Sequence, residues 1–226
     1  MMDNDEIGTV AEPIKKTNKF FPKIEELQQD YWDRFGPMLP LKYHHYTLTA
    51  ESTSATSGFS GYNKNPEAKF TKADLERNGA TFTEVRPEIK GTIWEEMLYS
   101  LGWERGKVRL LVLPPGFSWH MHTDNDAFRC TLSIWSNEHS YLIYKDPPVV
   151  KHFPTDGTLW AHWGQNMHTA INGHPEALND FHTYSGQGTD EHPYINYRAH
   201  VVFQQGHWMR NLGIDWPNVN GPYNGN

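Results

Sequence analysis

The sequence predicts a mainly β fold with flanking helices, and three observations carry that prediction. From Lys107 onward the chain breaks into short alternating segments separated by Pro, Gly, Asn and Asp, the texture of a sandwich or barrel. Apolar residues at helical spacing are confined to the part before it. The chain has 226 residues, shows no internal repeat and holds no stretch that reads as a linker, so one domain with its own core is expected.

Residues 1–19 are polar and without period, and are expected to form a flexible N-terminal arm, mobile or strapped down. The domain proper is expected over 20–205, with a helical preamble over 20–104 and a β core over 107–205. Ile24, Leu27, Tyr31 and Phe35 recur on one helix face, with Pro22 before and Gly36 after, so 23–35 reads as an amphipathic helix. Residues 39–48 read as a strand. Residues 50–61, dense in Ser, Thr and Gly, read as a loop. Thr71 and Gly79 bracket a short helix as N-cap and terminal glycine. Trp94, Met97, Leu98 and Leu101 share a face of a helix over 93–103.

Strands are expected at 108–113, 118–122, 127–135, 140–144, 158–163, 168–171 and 197–204. Between the last two, residues 173–196 are polar and hold Gly186-Gln187-Gly188. A long patternless insertion there is a lid over a site or a surface excursion. Residues 206–226 read as a C-terminal tail without a core pattern.

Net charge is −7 with no basic stripe, which argues against a nucleic-acid partner. Mean hydropathy is −0.72 and the apolar runs fall far short of a span, which argues against a membrane. The acidic start, Met1-Met2-Asp3-Asn4-Asp5-Glu6, lacks the marks of a signal peptide, so a cytoplasmic setting is expected. The single cysteine, Cys130, excludes an internal disulfide and reads as a small buried residue in a strand. Thirteen histidines make accidental pairs common, and His44-His45 is read as structural or surface.

The chemistry concentrates after Pro114-Pro115-Gly116, which breaks the run beginning at Val108. Three metal-binding residue types follow at spacing two: His120, His122 and Asp124. In an extended segment all three face the same way. His168 follows 46 positions after His122, and Arg198 another 30 positions on. Two histidines and one carboxylate on one face of iron(II) leave three adjacent positions open, two for a bidentate 2-oxo acid and one for O2. On this reading His122, Asp124 and His168 hold iron and Arg198 holds an acidic cosubstrate.

The ordered set Arg109-x-Leu-x-Leu-Pro114-Pro115-Gly116, His122-x-Asp124, Arg129-x-x-Leu132, Gly157, Trp160, His168-x-Ala170-x-Asn172 and Arg198-x-His200-x-Val202 resembles the aspartyl/asparaginyl β-hydroxylase family of iron(II)- and 2-oxoglutarate-dependent oxygenases. Phe21-Pro22, Leu27 and Trp32 are similar too, so the resemblance spans roughly residues 20–204. It implies a double-stranded β-helix core, a jelly roll of the cupin kind, with the metal at one open end. It implies His122, Asp124 and His168 as ligands of Fe(II), and 2-oxoglutarate and O2 as cosubstrates. It implies Arg198 as the clasp of the far carboxylate of 2-oxoglutarate. Arg129 would contact the cosubstrate or a substrate carboxylate, or serve as a structural ion-pair partner. The substrate implied is an amino acid or an aspartyl or asparaginyl side chain of a peptide.

Some alternatives stay open in the sequence. The gap between His168 and Arg198 is long for the family, and Arg210 is the fallback for the clasp. A cupin-like site of His120, His122, Asp126 and His168 would bind a metal without 2-oxoglutarate. His162 and His174 are read as non-ligands, and Met121 as a filler. Trp119 is expected to face away from the metal, and Asn137 and Asn166 are candidate pocket donors.

Overall fold

The computed structural model describes residues 12–35, 44–51, 82–124, 128–174, 196–204 and 209–214. Eleven strands and two α-helices lie among them: β1 (Ile14–Phe20), α1 (Ile24–Phe35), β2 (His44–Thr47), β3 (Thr49–Glu51), β4 (Phe82–Val85), α2 (Ile93–Ser100), β5 (Val108–Leu113), β6 (Phe128–Trp135), β7 (Ser140–Tyr144), β8 (Val149–Lys151), β9 (Thr158–Trp163), β10 (His168–Asn172) and β11 (Arg198–Phe203). They build an antiparallel sheet in the order β1-β9-β6-β11-β5-β2, a smaller one in the order β10-β7-β8, and the β3-β4 pair. Residues 118–122 border β10 through bridges from Ser118 to Ile171 and from His122 to His168.

Eight segments follow one another as β5, 118–122, β6, β7, β8, β9, β10 and β11. The first, third, sixth and eighth lie in the larger sheet, and the rest in the smaller. That distribution is the double-stranded β-helix, a jelly roll.

Alternation along the strands decides what each face of the larger sheet meets. Val108, Leu110 and Val112 of β5, Phe128, Cys130 and Leu132 of β6, and Ala199, Val201 and Phe203 of β11 are all buried in one apolar cluster. Ile24, Leu27, Tyr31 and Phe35 of α1 and Trp94, Met97 and Leu98 of α2 belong to the same cluster, so the helices cover this outer face. A register shift between Ala199 and His200 against β6 accompanies a change in this alternation. Both Ile134 and Trp135 pack on the outer cluster, and the Trp135 ring lies 5.3 Å from that of Trp32. The opposite face looks toward the smaller sheet, where Ile14, Leu142, Tyr144 and Phe153 form a second, smaller cluster.

Local signals explain the helices. In α1 the four buried residues recur at the helical interval, with Glu25 and Glu26 in the first turn and Arg34 in the last, charges that suit the helix dipole. Arg34 Nε pairs with Asp30 at 2.7 Å one turn back, and Trp94 Nε1 donates to Asp30 at 2.6 Å, tying α1 to α2. Thr92 caps α2 by accepting from Trp94 N.

Several expectations are corrected. Residues 14–19 of the flexible arm form β1, paired with β9 from Ile14↔His162 to Phe20↔Thr158. Phe21 N donates to Gly157 O at 2.8 Å, and Gly157 has φ +86°. A Cβ there would run into the Phe21 carbonyl, so glycine permits this approach. Within the preamble β2 falls inside the strand expected over 39–48, whereas the short strands β3 and β4 were not expected. The strand over 118–122 is reduced to two isolated bridges. The short strand β8 escaped the sequence reading. The tail over 206–226 contributes Met209 and Leu212 to the main core. The helix expected from Thr71 and the body of the 173–196 insertion lie outside the described residues. Cys130 is fully buried, as expected, and burial pushes its thiol pKa up.

Candidate metal centre

At one end of the barrel the backbone brings the ligand-bearing segments together. His122 N donates to His168 O at 3.0 Å and His168 N to His122 O at 2.8 Å. This reciprocal pair puts the two side chains on the same side of neighbouring segments. Their ring centroids are 4.7 Å apart. Asp124 has left the smaller sheet, and its N donates to Gly164 O at 2.7 Å in the turn after β9. The chain therefore crosses the barrel end, and Asp124 closes over the histidines.

His122, Asp124 and His168 each offer a ligand atom, all within 4.8 Å of one another, a cluster able to hold a metal ion. His168 Nε2 lies 3.4 Å from Asp124 Oδ2, and His122 Nε2 lies 3.7 Å from Oδ1. Backbone carbonyls assign the tautomers: His122 Nδ1 meets His120 O at 2.8 Å, and His168 Nδ1 meets Asn166 O at 2.8 Å. A carbonyl only accepts, so Nδ1 carries the proton in both rings and Nε2 presents a lone pair. Two imidazole lone pairs and a carboxylate thus converge, and among the described residues the buried Asp124 Oδ2 has no hydrogen-bond partner. Converging acceptors repel one another unless a cation sits among them. The donor set therefore fits a divalent metal of the kind that takes imidazole and carboxylate ligands.

The surroundings keep these groups in their ligand forms. Burial alone would raise the pKa of Asp124, but the Arg129 guanidinium holds it well below the usual carboxylate range. Arg129 Nη2 sits 2.8 Å from Asp124 Oδ1. Burial holds His122 below its ordinary pKa, favouring the neutral ring. Tyr144, the register partner of His168, stacks on its ring at 5.2 Å and 26°. The Tyr144 hydroxyl donates to Trp163 O at 2.8 Å and so accepts from His162 Nδ1 at 3.1 Å. His162, fully buried, packs edge-on against His168 at 5.8 Å. It is a neighbour of the cluster and not a member.

Arg198 lies on the inner face of β11 at the opposite end of the strand pair, beside Leu113. It is buried, and among the described residues its guanidinium makes no hydrogen bond or ion pair. Burial pulls its pKa down to about 9, so it remains a cation at neutral pH. Its charge also acts on His162, the neighbour of His168. A buried cation without a counter-charge is costly, and the planar guanidinium fork suits a carboxylate.

The long gap before Arg198 is bridged by asparagines. Asn172 Nδ2 donates to Asn196 O at 2.7 Å and to Leu113 O at 3.0 Å, pinning the two ends of the insertion together. Asn137 Nδ2 donates to Asn172 Oδ1 at 2.9 Å and to Asn196 O at 2.8 Å. Asn137 thus braces the strand ends, and Asn166 Nδ2 donates to Asp146 O.

The fallback for the clasp is corrected: the Arg210 side chain is 81% exposed and pairs with Glu104 at the surface. His120 is exposed and stands outside the cluster, its ring 5.5 Å from that of His122, and Asp126 lies outside the described residues. Tyr144 and Ser133 were not singled out from sequence, and His200 entered only as part of the motif Arg198-x-His200-x-Val202, with no role of its own. Strand parity was the available signal, since all three lie in the β core.

No family model matches the chain, and no curated protein matches it. Among solved structures it is similar to an oxidoreductase of the 2OG-Fe(II) oxygenase family from Burkholderia pseudomallei, with 13% identity and a TM-score of 0.31 over 44% of this chain. That match spans 42% of the other chain's length. It is similar to a Pseudomonas putida prolyl-4-hydroxylase, with 13% identity and a TM-score of 0.39 over 85% of this chain and 92% of that one. A full-length Neurospora crassa protein in complex with alpha-KG gives 13% identity and a TM-score of 0.41 over 84% and 74%. The strand order identifies the double-stranded β-helix by itself.

Proposed function

We propose that this chain is an iron(II)- and 2-oxoglutarate-dependent dioxygenase that hydroxylates an amino acid or an aspartyl- or asparaginyl-type side chain. The single observation behind this reading is a barrel interior with a cluster of two histidines and one aspartate at one end and, toward the other, the buried cation Arg198, without a partner among the described residues. Such an interior suits one ligand that reaches a metal with one end and needs a cation at the other. A 2-oxo dicarboxylate has that form.

His122, Asp124 and His168 would hold the metal. Bound there, iron(II) supplies O2 activation coupled to oxidative decarboxylation of 2-oxoglutarate to succinate and CO2, and thereby hydroxylation of a substrate C–H bond. The chain's own residues prepare for this. The carbonyls of His120 and Asn166 hold each imidazole proton on Nδ1, away from the metal side. Arg129 holds Asp124 as an oriented carboxylate, and Tyr144 and His162 pack around His168. Arg198 would receive the far carboxylate of the cosubstrate through a forked pair of hydrogen bonds.

The substrate follows from the resemblance rather than from a named pocket residue. No helix among the described residues is long and apolar enough to cross a membrane. A small-molecule or peptide substrate and a cytoplasmic setting complete the proposal.

The experiment is a turnover assay on anaerobically purified protein given iron(II), ascorbate, O2 and 2-oxoglutarate with amino-acid and peptide candidates. Succinate formation that depends on all of them is the expected result. No succinate above background, with no 2-oxoglutarate binding by calorimetry, would sink the proposal.

A further inference from the structure

Two residues beside Arg198 have no part in the reading above. His200 follows two positions later on β11, on the same inner face, and is 2% exposed. Its ring lies 6.2 Å from that of Phe153, a member of the inner cluster. Neither ring nitrogen has a hydrogen-bond partner among the described residues. Directly across the ladder on β6 its register partner is Ser133, fully buried, whose hydroxyl is also without a partner. Leu111 is its partner on the other side, from β5.

Orphaned buried polar atoms are rare in folded chains and call for an explanation. Here Arg198 Nε, both nitrogens of His200 and Ser133 Oγ fall on one patch of one face. The outer face of the same strands carries only apolar side chains at the corresponding positions, Ala199, Val201 and Leu132. Sequence that needed only a core would have placed apolar residues on both faces.

A carboxylate has two oxygens and about four acceptor sites. The guanidinium fork of Arg198 fills two of them. A serine hydroxyl and a neutral imidazole each have one further proton to donate. Burial, then the charge of Arg198, holds His200 well below its ordinary pKa, consistent with a neutral ring that donates once.

Resting on the proposed cosubstrate, we propose that His200 and Ser133 complete the Arg198 pocket as ligand-contacting residues, both hydrogen-bonding the far carboxylate of the dicarboxylate. The remaining His200 nitrogen then serves as an acceptor.

The test is calorimetry on the full chain loaded with manganese(II), with 2-oxoglutarate as the probe. Glutarate, which keeps the far carboxylate and lacks the keto group, is the second probe. His200→Phe keeps a ring and deletes both nitrogens. It is expected to weaken both probes by about tenfold or more, the loss of one hydrogen bond to a charged group, while manganese affinity holds. His200→Gln, which retains a donor, should recover part of that loss. Ser133→Ala should weaken both probes severalfold.

If His200→Phe binds both probes like the wild type, the inference is overturned while the cosubstrate reading stands. If Arg198→Met binds 2-oxoglutarate like the wild type, the cosubstrate reading itself has failed. Should His200→Phe not fold, His200→Gln and Ser133→Ala decide. Wild-type affinity in both overturns the inference, and weakened affinity in Ser133→Ala supports it.

Discussion

Ala199, Val201 and Phe203 point from β11 into the helices, while Arg198 and His200 point from the same strand into the barrel. β6 repeats the division, with Phe128, Cys130 and Leu132 outward and Arg129, Thr131 and Ser133 on the other parity. Both faces are largely buried, so solvent exposure does not explain the difference. The outer face is held mainly by packing among apolar and aromatic side chains. The inner face leaves a carboxylate oxygen, a guanidinium nitrogen, an imidazole and a hydroxyl without hydrogen-bond partners among the described residues. A sheet face of that composition makes sense as a binding surface turned inward. One strand thus carries apolar packing on one set of alternate residues and buried polar groups on the other.

The sharpest way to break this comparison is to remove one member of the His122, Asp124 and His168 cluster. Asp124→Ala is expected to lower divalent-metal affinity by more than the roughly 10–100-fold typical of outer partners. Metal titration followed by calorimetry reads the effect, and His120→Ala is the control expected to leave affinity nearly unchanged. Equal losses in both would show that the exposed histidine belongs to the site.

On the outer face the same kind of truncation should act on folding alone. Trp94 is fully buried between α1 and the sheet and donates to Asp30. Trp94→Ala is expected to cost about 3–5 kcal/mol in denaturant unfolding. Metal affinity of the folded fraction should not move.

The inner face also predicts an acid sensitivity that the outer face lacks. Burial holds His162 and His200 well below the ordinary histidine pKa. Above the unfolded value of about 6.5 both states leave these rings neutral, and pH has no effect through them. Below it the unfolded chain binds protons that the folded chain refuses, so stability falls as pH falls. Each buried ring contributes about 1.4 kcal/mol per pH unit, roughly 2.7 for the pair, until its folded pKa is reached. His122, also lowered, acts in the same direction. Metal-free protein unfolded in urea between pH 7 and pH 5 tests this, and His200→Phe should remove about half the slope due to the pair.

A matched exchange of small residues gives the finest contrast. Cys130→Ser places a hydroxyl in the apolar outer cluster and is expected to cost about 1–3 kcal/mol. Ser133→Ala, on the inner face, removes a buried hydroxyl that has no hydrogen-bond partner among the described residues, and it is expected to leave stability unchanged or to raise it, by up to about 1–3 kcal/mol. Unfolding midpoints of the two variants decide whether the faces differ as described.

The sequence made the outer face legible because alternation over Phe128, Cys130 and Leu132 is a local signal, as is the period of α1. Two members of the cluster were legible because His122 and Asp124 lie close in the chain. What stayed hidden was non-local or weak. Strand β1 is an edge whose residues are mostly polar, with Ile14 and Thr17 its buried positions, so no period shows. Strand β8 has three residues, too few for a pattern. The Arg129–Asp124 pair and the stacking of Tyr144 on His168 depend on register between strands. The insertion before Arg198 looked disruptive because the Asn172–Asn196 contact that closes it cannot be read from spacing.

The most direct test of the central claim is an oxygen-free calorimetric titration of the full chain, first with iron(II) and then with 2-oxoglutarate. The account predicts stoichiometric iron binding, lost in His168→Ala, and 2-oxoglutarate binding that needs both the metal and Arg198. Tight 2-oxoglutarate binding that survives both His168→Ala and Arg198→Met, or no iron binding at all, would contradict it.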